Sequence, residues 1–303
     1  MSDFVQKRLI VIVGPTAVGK TGMAIQLAKT FHSEIISADS RQLYKEMTIG
    51  TAKPSKQELE EVRHHFINQI SIEKDYDAGQ YGRDALDLIN KIFETAHTLI
   101  LCGGSGLYVK AVLEGFDEMP DIPETLRQEI IEEYHEKGLG WLQQQVQAND
   151  PEYFDVVDQK NPQRLMRAIE VIRQTGLPAS TFRKSEKREL PFKVVKIGLA
   201  LDRHVLYDRI NQRVDDMFKA GLLEEARALY PRRSLNALQT VGYQELFGYF
   251  DGDYELEEAI RLLKRNTRRY AKRQMTWFKK DEEIEWFQPN DIQQIVAFIG
   301  ASH

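Results

Sequence analysis

The chain has 303 residues, 42% hydrophobic and 29% charged, the composition of a globular protein with one or two domains and real cores. Its single cysteine, Cys102, excludes an internal disulfide framework and a four-cysteine zinc site, and suits a reducing compartment. The net charge of −5 argues against a uniformly basic nucleic-acid binder, though not against a local basic surface. No apolar run reaches membrane-spanning length, and the one near the N-terminus is too short for a signal peptide, so a cytoplasmic protein is expected.

In chain order, RLIVIV (Arg8 to Val13) reads as a buried parallel strand. GPTAVGKT follows, matching G-x-x-x-x-G-K-[ST], and then GMAIQLAKTF, a helix with Met23, Leu27 and Phe31 on one face. Strand, glycine loop and helix together are the context of a phosphate cradle. Gly14, Pro15, Thr16, Ala17, Val18 and Gly19 form the loop, whose glycines let backbone N–H groups approach an anion at a helix N-terminus. Lys20 supplies charge, and Thr21 supplies a hydroxyl for a phosphate-bound Mg²⁺. SEIISADS is a short strand run ending at Asp39, and SKQELEEV opens a helix with a Ser55–Glu58 capping box. FINQISI (Phe66 to Ile72) reads as a strand, and AGQYGRDALDLINKIFETAH as a helix striped by Leu86, Ile89 and Phe93. TLILCGGSGLYVKAVLEG is again strand, glycine turn and helix. This alternation predicts an α/β, P-loop-type parallel sheet with ligands at the carboxyl ends of its strands.

The pattern changes near Asp117, at the proline-rich EMPDIPETL. From Glu124 to Thr175 the signals are helical, with an Asp150 N-cap before Pro151 and a Gly176 stop. RKSEKREL is expected to be an exposed loop, after which PFKVVKIGLAL (Pro191 to Leu201) returns as a strand. The expected organisation is a core of residues 1–117 and 191–303, with a helical C-terminal region from about His204 to Lys280 and a helical insertion at 118–190.

Four groups carry chemistry. Asp39 at a strand end is suited to general-base or metal work, and equally to an Asx turn. GGSG (Gly103 to Gly106) ends a strand where motor-type ATPases place a Mg²⁺-holding acid; its absence weakens ATP hydrolysis as the main activity and leaves Ser105 as a hydroxyl over the crevice. Arg209 and Arg213 lie four apart on a predicted helix, placed to clamp a diphosphate or to pair with Asp208, Asp215 or Asp216. IRLLKRNTRRYAKRQMTWFKK (Ile260 to Lys280) carries nine basic residues and no acid, with Tyr270, Trp277 and Phe278 interleaved. A single-sign helix in an acidic protein points to a polyanion partner, with aromatics to stack on bases. His64 and His65, being adjacent, make a poor metal pair and read as structural or as a polar patch near the crevice.

GPTAVGKT, SADSRQLYKEMTIGTAKP, GGSGLYVKAVLEG, NPQRLMRAIEVI and VGYQE, in this order and spacing, resemble bacterial tRNA dimethylallyltransferases over most of the chain, to about Lys280. The resemblance implies transfer of a dimethylallyl group from dimethylallyl diphosphate to N6 of adenosine 37, with Mg²⁺, and an insertion that grips the tRNA anticodon stem-loop. It implies a monomer free of the membrane. By the same resemblance Asp39 is the base on the adenine amino group, Ser105 and Arg213 act beside it, and the loop from Gly14 to Thr21 holds the diphosphate. It places Asp39, Ser40, Arg41, Gln42, Ser105, Arg127, Gln163, Arg164, Leu165, Met166, Arg167, Thr240, Val241, Gly242, Tyr243, Gln244 and Glu245 at the tRNA, and the basic run adds Arg269 and Arg273. Gln239 and Gln244 stand where some relatives carry arginine. A P-loop small-molecule kinase, an isopentenyltransferase of free adenine nucleotides and a non-catalytic RNA-binding protein are the competing classes.

Overall fold

The computed structural model describes residues 6–117, 119–183 and 188–302. The chain divides into one unit of residues up to 113 and from 189 onward, and a second of residues 114–188. Residues 184–187, half of the expected loop RKSEKREL, lie outside the described residues.

The first unit opens with β1 (Arg8–Val13), α1 (Lys20–Phe31), β2 (Ile35–Ser37), α2 (Lys56–Glu61), β3 (His64–His65), α3 (Ala78–Ile92), β4 (Thr98–Gly103) and α4 (Gly106–Leu113). The second unit holds α5 (Glu124–Asn149), α6 (Pro151–Val156) and α7 (Pro162–Thr175). The first then resumes with β5 (Lys193–Leu199), α8 (Arg203–Lys219), α9 (Leu222–Leu229), α10 (Gln244–Asp251), α11 (Leu256–Phe278), β6 (Glu285–Phe287) and α12 (Ile292–Ala301).

The six strands form one parallel sheet in the order β3-β2-β4-β1-β5-β6. β1 pairs with β4 and β5 along its whole length. Its continuous apolar run follows from burial on both faces. Ile10 and Ile12 pack beneath α1, α8 and α12. Leu9, Val11 and Val13 face α3 and α4 on the other side. A third core joins α8 to α11 around Tyr243, Leu246 and Leu263, and takes in Tyr44 and Met47 from the segment after β2.

Two expectations are corrected, and two elements are added. The strand expected at Phe66 to Ile72 is instead β3, immediately before it: Phe66 and Asn68 adopt left-handed φ of 60° and 55°, turning the chain out of extended pairing. Phe66 turns its ring edge-on against Tyr81, 5.0 Å away. In α3 the buried stripe is Tyr81, Ala85 and Ile89 with Phe93 just beyond, whereas Leu86 is only partly buried. Finally, β6 and α12 extend the sheet and its cover past the helical region.

The second unit has its own core of Ile130, Leu142, Val146, Leu165 and Ile169. Gly138, at φ 75°, kinks α5. Asp150 caps α6 through the Tyr153 N–H and also accepts from the backbone and hydroxyl of Ser180. Gly176 ends α7 in the left-handed conformation.

Backbones converge at the carboxyl edge of the sheet. A Cβ on Gly103 would lie 2.1 Å from the Ala38 carbonyl oxygen, and one on Gly14 2.6 Å from that of Leu199. Gly103→Ala is therefore expected to cost about 3 kcal/mol of stability by overpacking rigid backbone. Gly140→Ala, with nothing within 4 Å, is expected to gain about 0.5 kcal/mol. Urea unfolding of the two variants checks both values.

Candidate active site

The loop between β1 and α1 is shaped by left-handed residues: Gly14 at φ 146°, Ala17 at 66° and Gly19 at 110°. No side chain caps α1, and its first turn carries no acid, so its leading N–H groups are available to an anion. Lys20 extends back along the loop and donates to the Pro15 carbonyl at 2.8 Å. Burial lowers its pKa to about 8, against the opposing pull of Cys102 and Asp39 and with help from Arg213. Cys102, buried beside it, is pushed up to about 11.

Both candidate arginines of α8 reach this loop. Arg213 Nη1 donates to the Thr16 hydroxyl at 3.3 Å, and Arg209 Nη1 to the Val18 carbonyl at 3.3 Å. The competing pairing along α8 is not formed: Asp215 binds Lys264 and Asp216 binds Lys219. Burial disfavours charge on Arg213, and Asp39 and Glu58 restore part of it.

Asp39 follows β2. Its Oδ1 accepts from the N–H groups of Arg41 at 2.9 Å and Gln42 at 3.2 Å, so the carboxylate forms an Asx turn and faces the cavity as well. Ser105 sits alongside: its Oγ accepts from the Ser40 N–H at 3.0 Å and donates to the Ser40 hydroxyl at 3.3 Å. Thr16, Lys20, Thr21, Asp39 and Arg213 thus line one cavity of about 400 Å³.

Two residues of α11 complete it. The Gln274 side chain accepts from the Thr16 N–H at 2.8 Å and donates to the Gly104 carbonyl at 2.9 Å, tying the phosphate loop to the loop after β4. Tyr270, whose hydroxyl burial pushes up to about 12, bonds Ser105. Their only sequence signal was membership of the basic run.

Among the described residues there is no cluster of three metal-ligating side chains. The cavity offers the Thr21 hydroxyl and the carboxylates of Asp39 and Glu58. That donor set fits a hard cation carried mainly by phosphate oxygens and water, as Mg²⁺ prefers.

The segment from Thr240 to Gly242 lines an adjoining cavity that shares Asp39 and Arg213. Arg41 reaches the Asn236 carbonyl, and Gln42 donates to the carbonyls of Thr51 and Ala52. Leu165, Tyr243 and Glu245, expected at the tRNA, are buried within the protein. Leu165 belongs to the core of its unit. Glu245 accepts from the Gly242 N–H and the Asn266 amide, and Tyr243 donates to Glu225. Glu225, unmarked in the sequence, also collects the N–H groups of Thr48, Ile49 and Gly50. In the second unit Arg127 and Arg167 pair with the buried Glu170, Gln163 and Arg164 are exposed, and Met166 is half-buried. Gln244 is exposed and bonds Gln239. His65 pairs with Glu34 at the sheet edge, whereas His64 lies in the cavity wall.

The basic run is divided. Arg261 pairs with Glu258, Lys264 with Asp215, and Arg268 bonds Asn211. Arg269, Lys272, Arg273, Lys279 and Lys280 are exposed.

A parallel sheet carrying a P-loop, flanked by two arginines and a strand-end carboxylate, with glycines where an ATPase acid would stand, defines a P-loop-type transferase core. The sequence matches the IPP transferase family over residues 42–281. It is 51% identical over 299 residues to the tRNA dimethylallyltransferase of Cytophaga hutchinsonii, covering 99% of this chain and 98% of that protein. It is 50% identical over 300 residues to that of Flavobacterium johnsoniae, covering 97% of each. The fold matches the full-length tRNA isopentenylpyrophosphate transferase of Bacillus halodurans with a TM-score of 0.73 at 39% identity, over 97% of this chain and 96% of that one. It matches a eukaryotic dimethylallyltransferase acting on tRNA with a TM-score of 0.77 at 28% identity, over 95% of this chain and 75% of that one. The chain belongs to the IPP transferase family.

Lys20 titrates near 8 in the free protein, and only its protonated form attracts a phosphate. The Lys20 contribution to inorganic pyrophosphate binding, read as wild-type affinity divided by that of Lys20→Met, should therefore weaken roughly tenfold as pH rises from about 7 to about 9. Lys20→Met should retain only the pH dependence of the ligand itself. Calorimetric titration of both proteins checks this.

Proposed function

We propose that the chain transfers a dimethylallyl group from dimethylallyl diphosphate to N6 of adenosine 37 beside the tRNA anticodon, acting with Mg²⁺ as a cytoplasmic monomer. The observation that carries this reading is the convergence of an anion cradle and a carboxylate, Asp39, in one cavity, with no second acid at the end of β4.

The adenine amine is a weak nucleophile, because its lone pair is delocalised into the ring. Asp39 accepts the proton as the N6–C bond forms. The Asx turn holds Oδ1 on two backbone N–H groups, which fixes the carboxylate and leaves Oδ2 as the acceptor. The C–O bond to diphosphate breaks with charge moving onto the leaving group. Lys20, Arg213 and the α1 N-terminus meet that charge in a buried setting, where fixed charges act most strongly. Arg209, held on the loop carbonyl of Val18, supports the loop shape. Thr21 would hold Mg²⁺ on the diphosphate, where it neutralises developing charge. Ser105 and Tyr270 form the wall against which the extruded base is positioned.

A kinase shares the cradle and Asp39, but it leaves the exposed cations of α11 without a purpose. Unmodified tRNA incubated with dimethylallyl diphosphate and Mg²⁺ should gain one isopentenyl unit on adenosine, measured by nucleoside mass spectrometry. ATP turnover on a small metabolite, with no tRNA product, would sink the reading. Asp39→Asn keeps the turn acceptor and removes the base, so kcat should fall by roughly two to four orders of magnitude with tRNA affinity nearly unchanged.

A further inference from the structure

Of the three aromatics interleaved with the basic run, two are engaged within the fold. Phe278 is buried in the core beneath the sheet, and Tyr270 is half-buried and bonded to Ser105. Trp277 is 37% exposed. Its indole rests on Gly106, where a Cβ would lie 2.2 Å from Nε1, so the missing side chain makes the seat. The ring borders two grooves. One, of about 520 Å³, leads past Arg273 to Ser40, Arg41 and Ser105 at the crevice mouth. The other, of about 480 Å³, is lined by Arg269, Lys272 and Lys280.

We propose that Trp277 is a stacking platform for an unpaired nucleobase of the RNA loop next to the target adenosine; this rests on the transferase reading above. Three observations select that occupant. The exposed apolar surface here is small, the ring with Leu107 beside it, which suits a planar base better than a protein partner. Arg273 lies one turn before Trp277 on α11, and Lys280 lies in the turn just past the helix end; both line the groove beside the ring, placed for the phosphates that flank a stacked base. No acid lines either groove, so their walls do not repel the RNA backbone. Extruding the adenosine deprives its neighbour of a stacking partner, and a rigid indole restores one.

The test uses the full chain and short anticodon stem-loop RNAs carrying 2-aminopurine at one loop position at a time. With the wild type, fluorescence should be quenched most at a base beside the target adenosine. Trp277→Ala should abolish that quench and weaken binding about tenfold, with the slope of log affinity against log salt unchanged because no phosphate contact is lost. Trp277→Phe should recover most of the affinity; it carries the test against Trp277→Leu if the alanine variant melts early. Trp277→Ala binding within twofold of wild type with the same quench overturns the platform. So does an affinity loss that comes with a shallower salt slope, which would assign the effect to the neighbouring cations. A wild type that prenylates no tRNA overturns the transferase reading itself; one that prenylates tRNA while Trp277→Ala binds normally overturns the platform alone.

Discussion

The constraint on which the rest depends is the gathering of Lys20, Arg209 and Arg213 around a single loop. Burying charged groups is costly, and at Lys20 the like charge of Arg213 adds to that cost. The lowered pKa of Lys20 and the lowered charge preference of Arg213 record that cost. Asp39 offsets part of it, and the carbonyls of Pro15 and Val18 and the Thr16 hydroxyl absorb the donors. The diphosphate of the proposed donor would turn this arrangement from a burden into an attraction. Much of the surrounding first unit is scaffolding that keeps the cations from relaxing apart.

That scaffolding works by backbone contact at the carboxyl edge of the sheet. Ala38 accepts from the Ser105 N–H and donates to the Cys102 carbonyl, so the ends of β2 and β4 are joined directly. Gln274 adds the loop after β1. Glu225 fixes the segment from Thr48 to Gly50 by three N–H bonds and takes the Tyr243 hydroxyl as a fourth partner. Small displacements in any of these loops would reach the site through contacts under 3.3 Å, which explains why so much buried polar structure surrounds so few reacting groups.

The sequence made β1, β4 and β5 legible because strands buried on both faces must be continuously apolar. It concealed β3 and β6 for the opposite reason: at two and three residues, with His64, His65 and Glu285 at a sheet edge, they carry no pattern. The phosphate loop, Asp39 and the arginine pair were readable because their chemistry is local or lies one helical turn apart. Gln274 was not, since its partners Thr16 and Gly104 are 258 and 170 residues away. The burial of Glu245 and Tyr243 was hidden for a related reason: a short motif marks where a segment belongs, but packing decides which of its side chains face outward. The basic run read as one surface, whereas tertiary pairing removes Arg261, Lys264 and Arg268 from it.

The end of β4 has a consequence for specificity in a cell rich in nucleotides. Gly103 and Gly104 occupy the place where motor-type ATPases carry a Mg²⁺-holding acid, and Gly103 lies so close to Ala38 that no side chain fits. A nucleoside triphosphate entering the cradle therefore finds its phosphates gripped but no group poised to break them. On the function proposed above, such a nucleotide would compete for the cradle, and the driving force for the reaction would come from the allylic donor.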